Sequence, residues 1–83
     1  MFYIGIDIAK HNHEVSIIDD NGKALGKSFS ISNSQKGVDK FNTYLDSFNI
    51  TSENCVIVME STGHYWINLF SFLVNLKFNV FVI

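Results

Sequence analysis

Two carboxylates stand out in this sequence because each lies in an otherwise apolar segment. Asp7 interrupts the run 2–9, and Glu60 ends the run 55–60. A charged side chain in an apolar strand is costly unless it is solvated, paired or bound to a cation. If the two runs are neighbouring parallel strands, about 4.8 Å apart, both carboxylates can share one Mg²⁺ or Mn²⁺, which prefer oxygen ligands. The alternative is that each carboxylate is simply solvated at a strand end. The sequence pattern alone is compatible with both interpretations.

The chemistry that such carboxylates support is metal-dependent phosphodiester cleavage or transfer. Two ions roughly 4 Å apart activate a water or a 3′-hydroxyl and stabilise the leaving oxygen. Two carboxylates are too few to hold both ions, so at least one more acidic ligand is expected from elsewhere. Other candidate groups are weaker. His11 and His13 should point the same way on a strand, but no second ligand pair completes a zinc site, and Cys55 is expected to be a buried strand residue.

Length and composition exclude several classes of protein. The 83 residues are 47% apolar and 17% charged, which fits one small domain or part of one rather than a disordered chain. No apolar run approaches the ~20 residues of a membrane helix, the N-terminal pattern predicts no signal peptide, and the single cysteine fits a reducing cytoplasm. The net charge is −2 and every basic residue is a lysine, so nucleic-acid binding cannot depend on bulk charge. The chain stops inside the apolar run 78–83, so we expect an N-terminal portion of a longer protein.

Hydrophobic periodicity predicts an α/β chain in the order β-β-β-α-β-α-β. Strands are predicted at residues 2–9, 13–20, 24–31, 55–60 and 78–83, and helices at about 35–48 and at 65–76. Asn21-Gly22 predicts a type I′ hairpin turn, and residues 32–34 offer caps for the first helix. Short turns make the first three strands antiparallel, whereas helical crossovers make the later ones parallel. Placing the two most apolar strands at the centre gives the order 3-2-1-4-5. This is a mixed sheet of the ribonuclease H-like type, and the actin-like ATPase fold begins in the same way.

Residues beside the two carboxylates are candidates for contacting an anionic ligand. Lys10 follows the first strand and can approach a phosphate. Thr62 and Gly63 are predicted to open the second helix, where backbone amides can bind an anion. His64 is close enough in sequence to Glu60 to assist the same site. The alternative for Lys10 and for His64 is a solvated side chain, and for Thr62 it is an ordinary helix cap. For Trp66, core packing is favoured over stacking on a base.

Two motifs carry a resemblance to a known family. Tyr-Ile-Gly-Ile-Asp-Ile-Ala-Lys at 3–10 and Met-Glu-Ser-Thr-Gly-His-Tyr-Trp at 59–66 flank the hairpin Asp-Asn-Gly at 20–22. Together they resemble the start of the DEDD transposases of insertion sequences, which are related to Piv-type DNA invertases, and the resemblance covers essentially the whole chain. It implies that residues 1–83 are the N-terminal portion of a RuvC-like catalytic domain. In that domain Asp7 would be the first and Glu60 the second of four acidic metal ligands, with two aspartates beyond residue 83.

The same resemblance implies DNA as substrate, a structured guide RNA and a C-terminal domain with a serine nucleophile. Without the remaining ligands, residues 1–83 are expected to bind Mg²⁺ or Mn²⁺ weakly and to be inactive alone. An actin-like phosphotransferase is a second hypothesis, although the segment 8–11 lacks the glycine that lets backbone approach a phosphate. A non-catalytic assembly module is a third. Because the two predicted helices can cover mainly one face of the sheet, we also expect self-association through the open face or the edge at Ile83.

Overall fold

Five strands form one mixed sheet, and two helices pack on one of its faces. The computed structural model describes residues 1–61 and 63–83. Its elements are β1 (Phe2–Asp7), β2 (Asn12–Ile18), β3 (Phe29–Ser32), α1 (Gln35–Ser47), β4 (Cys55–Met59), α2 (Ile67–Asn75) and β5 (Val80–Val82). The strand order is β3-β2-β1-β4-β5. The β1–β2 and β2–β3 pairs are antiparallel, and the β1–β4 and β4–β5 pairs are parallel. The predicted α/β architecture and strand order are confirmed.

The hydrophobic core lies between the sheet and the two helices. Side chains of a strand alternate between faces, and every second residue of β1, β2 and β4 is buried. Core residues from the sheet include Ile4, Ile6, Val15, Ile17, Ile57 and Met59, and those from the helices include Val38, Phe41, Leu45, Leu69 and Leu73. The opposite face of the sheet is covered by neither helix. The prediction that the two helices cover mainly one face of the sheet is therefore confirmed.

The turn after β2 differs from the predicted type I′ turn. Gly22 has a φ of 78°, but Asn21 is not among the residues with positive φ. The Gly22 N–H donates to the Asp19 carbonyl at 3.0 Å, and the Asp19 carboxylate accepts from the N–H groups of Asn21 and Lys23. The turn is therefore an aspartate-stabilised turn with glycine alone in the left-handed position.

The third strand is much shorter than the predicted 24–31. Ala24 makes one isolated bridge to Ile18, and Gly26 then adopts a φ of 66°. This left-handed residue interrupts the extended backbone, so regular pairing with β2 resumes only at Phe29. The interpretation of His11 and His13 as a matched pair is also wrong, because His11 is exposed before β2 begins and His13 is buried.

The two helices begin in different ways. The Ser34 hydroxyl accepts from the Gly37 N–H and caps α1, which confirms the predicted cap region. Helix α2 begins only at Ile67, after a turn in which Gly63 has a φ of 55°. The prediction that Gly63 opens this helix is wrong, because its left-handed backbone is incompatible with a right-handed helical turn. Within the described residues, no helix is both long and apolar enough to cross a membrane.

Candidate carboxylate site

Asp7 and Glu60 occupy matching positions on neighbouring parallel strands. Ile6 of β1 lies opposite Met59 of β4, so the next residues along the two chains are Asp7 and Glu60. Ile6 and Met59 are buried in the core. Alternation along each strand therefore directs Asp7 and Glu60 to the open face of the sheet, and both are exposed. The two carboxylates that the sequence singled out thus lie side by side at the carboxyl ends of β1 and β4.

A third carboxylate, which was not predicted from the sequence, lies beside them on the open face. Glu14 of β2 lies directly opposite Asp7 in the antiparallel register. Asp7, Glu14 and Glu60 together line a cavity of about 360 Å³ on the open face. Among the described residues the only salt bridge joins the N-terminus to Asp20, so no cation pairs with these three. Glu14 accepts a hydrogen bond from the Ser28 hydroxyl at 2.7 Å.

The donor chemistry of this cavity suits a hard divalent cation. Mg²⁺ is commonly held by one or two carboxylates, with waters and phosphate oxygens completing its octahedral shell, and Asp7 and Glu60 supply such a pair. Across 1–61 and 63–83, no three His, Cys, Asp or Glu side chains form a group that could hold a metal ion. Asp7 and Glu60 alone would thus hold an ion only weakly and would leave most of its shell to waters and phosphate oxygens.

Asp7→Asn is expected to stabilise the isolated chain by a few tenths to about 1 kcal/mol, because like charges directly opposite one another on paired strands are destabilising. Urea denaturation at low ionic strength should show the gain, and 1 M salt should reduce it. Glu53→Gln, which removes an exposed loop charge, is the matched control. A loss of stability in Asp7→Asn would show that the carboxylate makes a stabilising contact instead.

The other candidate residues follow the same ends of β1 and β4. Lys10 is exposed in the connection between β1 and β2, and Gly63 and His64 are exposed in the turn after β4. Thr62 lies outside the described residues. The buried His13 fixes the first connection, because its Nδ1 accepts from the Ala9 N–H at 3.2 Å. Lys10, Gly63 and His64 thus belong to the segments that border the carboxylates, but the late start of α2 removes the expected helix N-terminus from Gly63.

The open face changes from acidic to apolar along the strands. Tyr3, Ile18 and Val58 line a second cavity of about 280 Å³, which also reaches Gly5. A Cβ at Gly5 would meet nothing within 4 Å, so no packing contact among the described residues requires glycine there. A glycine in a strand interior is typical of a place where another molecule approaches the backbone closely.

The remaining candidates serve the structure. Trp66 is half-buried, stacks edge-on against Phe70 at 5.6 Å between ring centroids, and donates to the Gly63 carbonyl at 3.1 Å. The interpretation of Trp66 as a packing residue is consistent with these contacts. Cys55 is buried at the start of β4, and burial raises the pKa of its thiol.

The raised pKa of Cys55 predicts a loss of stability at alkaline pH. The folded chain holds the thiol proton more tightly than the unfolded chain, so this contribution is complete below the ordinary thiol pKa of about 8.5 and declines as the pH rises beyond it. The urea midpoint of the wild type should therefore fall more steeply between about pH 8 and 10 than that of Cys55→Ala. Equal slopes in the two proteins would contradict the prediction.

A known protein family matches almost the whole chain. A family model described as a transposase, of the IS110 DEDD type, matches residues 4–83. No curated protein sequence matches the chain. The matched family is the one that the two sequence motifs resemble.

Solved structures match the fold at low sequence identity. YeaZ from Pseudomonas aeruginosa aligns with a TM-score of 0.66 and 14% identity, over 100% of this chain and 44% of that one. An exopolyphosphatase from Cytophaga hutchinsonii gives a TM-score of 0.54 and 13% identity, over 100% of this chain and 34% of that one. A Ppx/GppA family member from Aquifex aeolicus gives a TM-score of 0.53 and 14% identity, over 100% of this chain and 35% of that one. The chain thus spans less than half the length of these structures, which show its fold alone and are not ribonuclease H proteins.

Proposed function

Because the chain belongs to the IS110-type family of DEDD transposases, we propose that it forms the N-terminal part of a RuvC-like, ribonuclease H-like catalytic domain that cleaves and transfers DNA strands. In this proposal Asp7 and Glu60 are two of four acidic metal ligands. The observation that carries it is the register of β1 and β4, which sets the two carboxylates side by side on an open face. Family membership supports the reaction class, and the register supports the choice of residues.

The chain contributes position and charge to this chemistry. When bound, Mg²⁺ or Mn²⁺ supplies electrostatic stabilisation to the oxygens of a phosphodiester. Asp7 and Glu60 would hold the ion from two neighbouring strands whose relative height is fixed by the backbone ladder. The bare backbone at Gly5 would leave room on the same face for a nucleic-acid strand. Glu14 adds negative charge to the same cavity and raises its attraction for a cation.

Contacts to the DNA backbone are proposed for the neighbouring segments. Lys10, Gly63 and His64 border the carboxylates, and Thr62 belongs to the same sequence motif. With a net charge of −2, the chain offers few phosphate contacts of its own, so a bound metal ion would be the main attraction for DNA at this face. The guide RNA, the serine nucleophile and assembly into a homo-oligomer are parts of the same proposal that depend on family membership alone.

A phosphotransferase of the actin-like type is the second candidate, favoured by the likeness to the exopolyphosphatase and Ppx/GppA structures. That likeness is one of fold. The connection after β1 is Ile8-Ala9-Lys10-His11, without a glycine to let the backbone approach a phosphate. A non-catalytic assembly module remains the third candidate. ATP or polyphosphate binding by the isolated chain would favour the phosphotransferase over the transposase.

Calorimetric titration with Mg²⁺ and Mn²⁺ tests the metal proposal. We expect weak binding to the wild-type chain that Asp7→Asn or Glu60→Gln removes, because each substitution leaves only one of the two proposed ligands. Glu53→Gln is the matched control and should bind as the wild type does. Retention of wild-type binding in both site variants would refute the assignment. We expect no DNA cleavage by these 83 residues alone, and robust metal-dependent cleavage would contradict the need for further ligands.

A further inference from the structure

The two edges of the sheet are finished differently. The antiparallel ladder pairs His11 with Asn33 through a main-chain hydrogen bond, so by alternation Ser30 and Ser32 of β3 direct their main-chain groups away from β2. The Ser30 carbonyl accepts from the Lys40 ammonium group at 2.6 Å. The Ser32 carbonyl accepts from the Ser34 N–H at 2.9 Å. The β3 edge is thus capped by partners from its own chain, as protected sheet edges usually are.

Across 1–61 and 63–83, no group of the chain caps the β5 edge in this way. Main-chain hydrogen bonds join Asn79 and Ile83 to β4, so alternation directs the N–H and C=O groups of Val80 and Val82 outward. Among the described residues, no hydrogen bond to these outward groups is found. The segment 78–83 contains no charged residue and no proline, two of the devices that discourage edge pairing, although β5 itself is only three residues long.

We propose that β5 pairs with β5 of a second copy of this chain, in antiparallel orientation about a two-fold axis at Phe81. In this register Val80 lies opposite Val82 of the second copy, and Val82 lies opposite its Val80. Each such pair exchanges two main-chain hydrogen bonds, so every outward group of both strands gains a partner. A register centred on Val80 would instead oppose Val82 to Phe78, which lies outside β5. The segment is therefore complementary to itself in one particular alignment.

The side chains of β5 also favour pairing with a second copy of the chain. Phe81 is 52% exposed on the open face, and a residue on the axis of a two-fold antiparallel pair faces its own copy. At such a position the Cα atoms are about 4.5 Å apart, which brings the two phenyl rings into contact. An uncharged edge also brings no like charges together when it pairs with itself. The contact is short, so we expect a weak, concentration-dependent dimer. This inference does not depend on the metal site or on the transposase proposal.

Sedimentation velocity across a range of concentrations tests the pairing with charge-swap variants. The wild-type chain should shift towards a dimer as its concentration rises. Phe81→Lys and Phe81→Glu should each remain monomeric, because like charges would meet on the axis, while an equal mixture of the two should regain a dimer. Tyr3→Lys is the matched control. It places the same charge on the open face but on β1, so it should leave the wild-type dimer unchanged.

The outcomes separate edge pairing from other contacts. A monomer at all concentrations, or a mixture that stays monomeric, would overturn the proposal. Dissociation by Tyr3→Lys with no effect of Phe81→Lys would assign the contact to the open face and would also overturn it. Disulfide formation provides a second readout. Phe81→Cys should cross-link at least tenfold faster than Ser30→Cys, which places a cysteine on the capped β3 edge, and equal rates would contradict pairing through β5.

Discussion

Asp7→Asn is expected to reduce metal-dependent DNA cleavage about a thousandfold in a protein that contains this chain together with the rest of the transposase domain. A catalytic metal ion contributes several kcal/mol of transition-state stabilisation, and each 1.36 kcal/mol corresponds to a factor of ten in rate. Glu60→Gln should cause a similar loss, because both carboxylates are proposed to hold the same ion. The rate of strand cleavage in saturating Mg²⁺ is the quantity to measure.

Matched controls separate loss of the ion from loss of the fold. Glu53→Gln removes a carboxylate from the loop before β4 and should leave the rate unchanged. The site variants should also keep the wild-type far-ultraviolet circular dichroism, because both side chains are exposed. Cleavage by Asp7→Asn within about threefold of the wild type would exclude Asp7 as a metal ligand. Glu14→Gln should have a smaller effect than either site variant, since Glu14 is proposed only to add negative charge to the cavity.

Gly37→Ala is expected to destabilise the fold by about 2–3 kcal/mol, the upper part of the range for overpacking a core. In an exposed helix this substitution normally stabilises by about 0.5–1 kcal/mol. Here an added Cβ would lie 1.8 Å from the Ser32 carbonyl oxygen and 2.9 Å from the Ser32 nitrogen. Both are backbone atoms of β3, so neither can rotate away. The sign of the effect should therefore be opposite to that of the helix propensity.

Urea denaturation measures this effect directly. The midpoint of Gly37→Ala should fall well below that of the wild type, and Lys36→Ala is the control. Lys36 is the exposed neighbour on the same turn, so its replacement should change stability only slightly. An increase in the midpoint for Gly37→Ala would mean that α1 does not approach β3 as closely as described.

Most of the fold could be predicted from the sequence because periodicity and turn chemistry agree along it. The first helix was predicted at 35–48 and lies at Gln35–Ser47, and the central strand at 55–60 lies at Cys55–Met59. The errors fall where a local pattern competes with backbone geometry. Alternation continues through 24–31, but Gly26 breaks the extended chain, so only Phe29–Ser32 pairs regularly.

The arrangement of the three carboxylates at the candidate site was predicted only in part. Asp7 and Glu60 were visible because a charge in an apolar run is unusual. Glu14 was missed because a polar residue on an alternating strand is what ordinary solvent exposure produces. Its position opposite Asp7 depends on the register of the first hairpin, which local residue types do not specify. His13 was predicted to match His11, but only the tertiary structure shows that its ring is buried and accepts a hydrogen bond from Ala9.

Paramagnetic broadening by Mn²⁺ in amide NMR spectra of the chain reports directly where the ion binds. Substoichiometric Mn²⁺ is expected to broaden the amide signals of residues 5–7 and 59–61 first, and Asp7→Asn should abolish this pattern. The carboxylates of the half-buried Asp19 and the exposed Asp20 provide an internal comparison on a distant turn. Broadening that begins at that turn, or that leaves Asp7 and Glu60 unaffected, would contradict a shared metal site at the ends of β1 and β4.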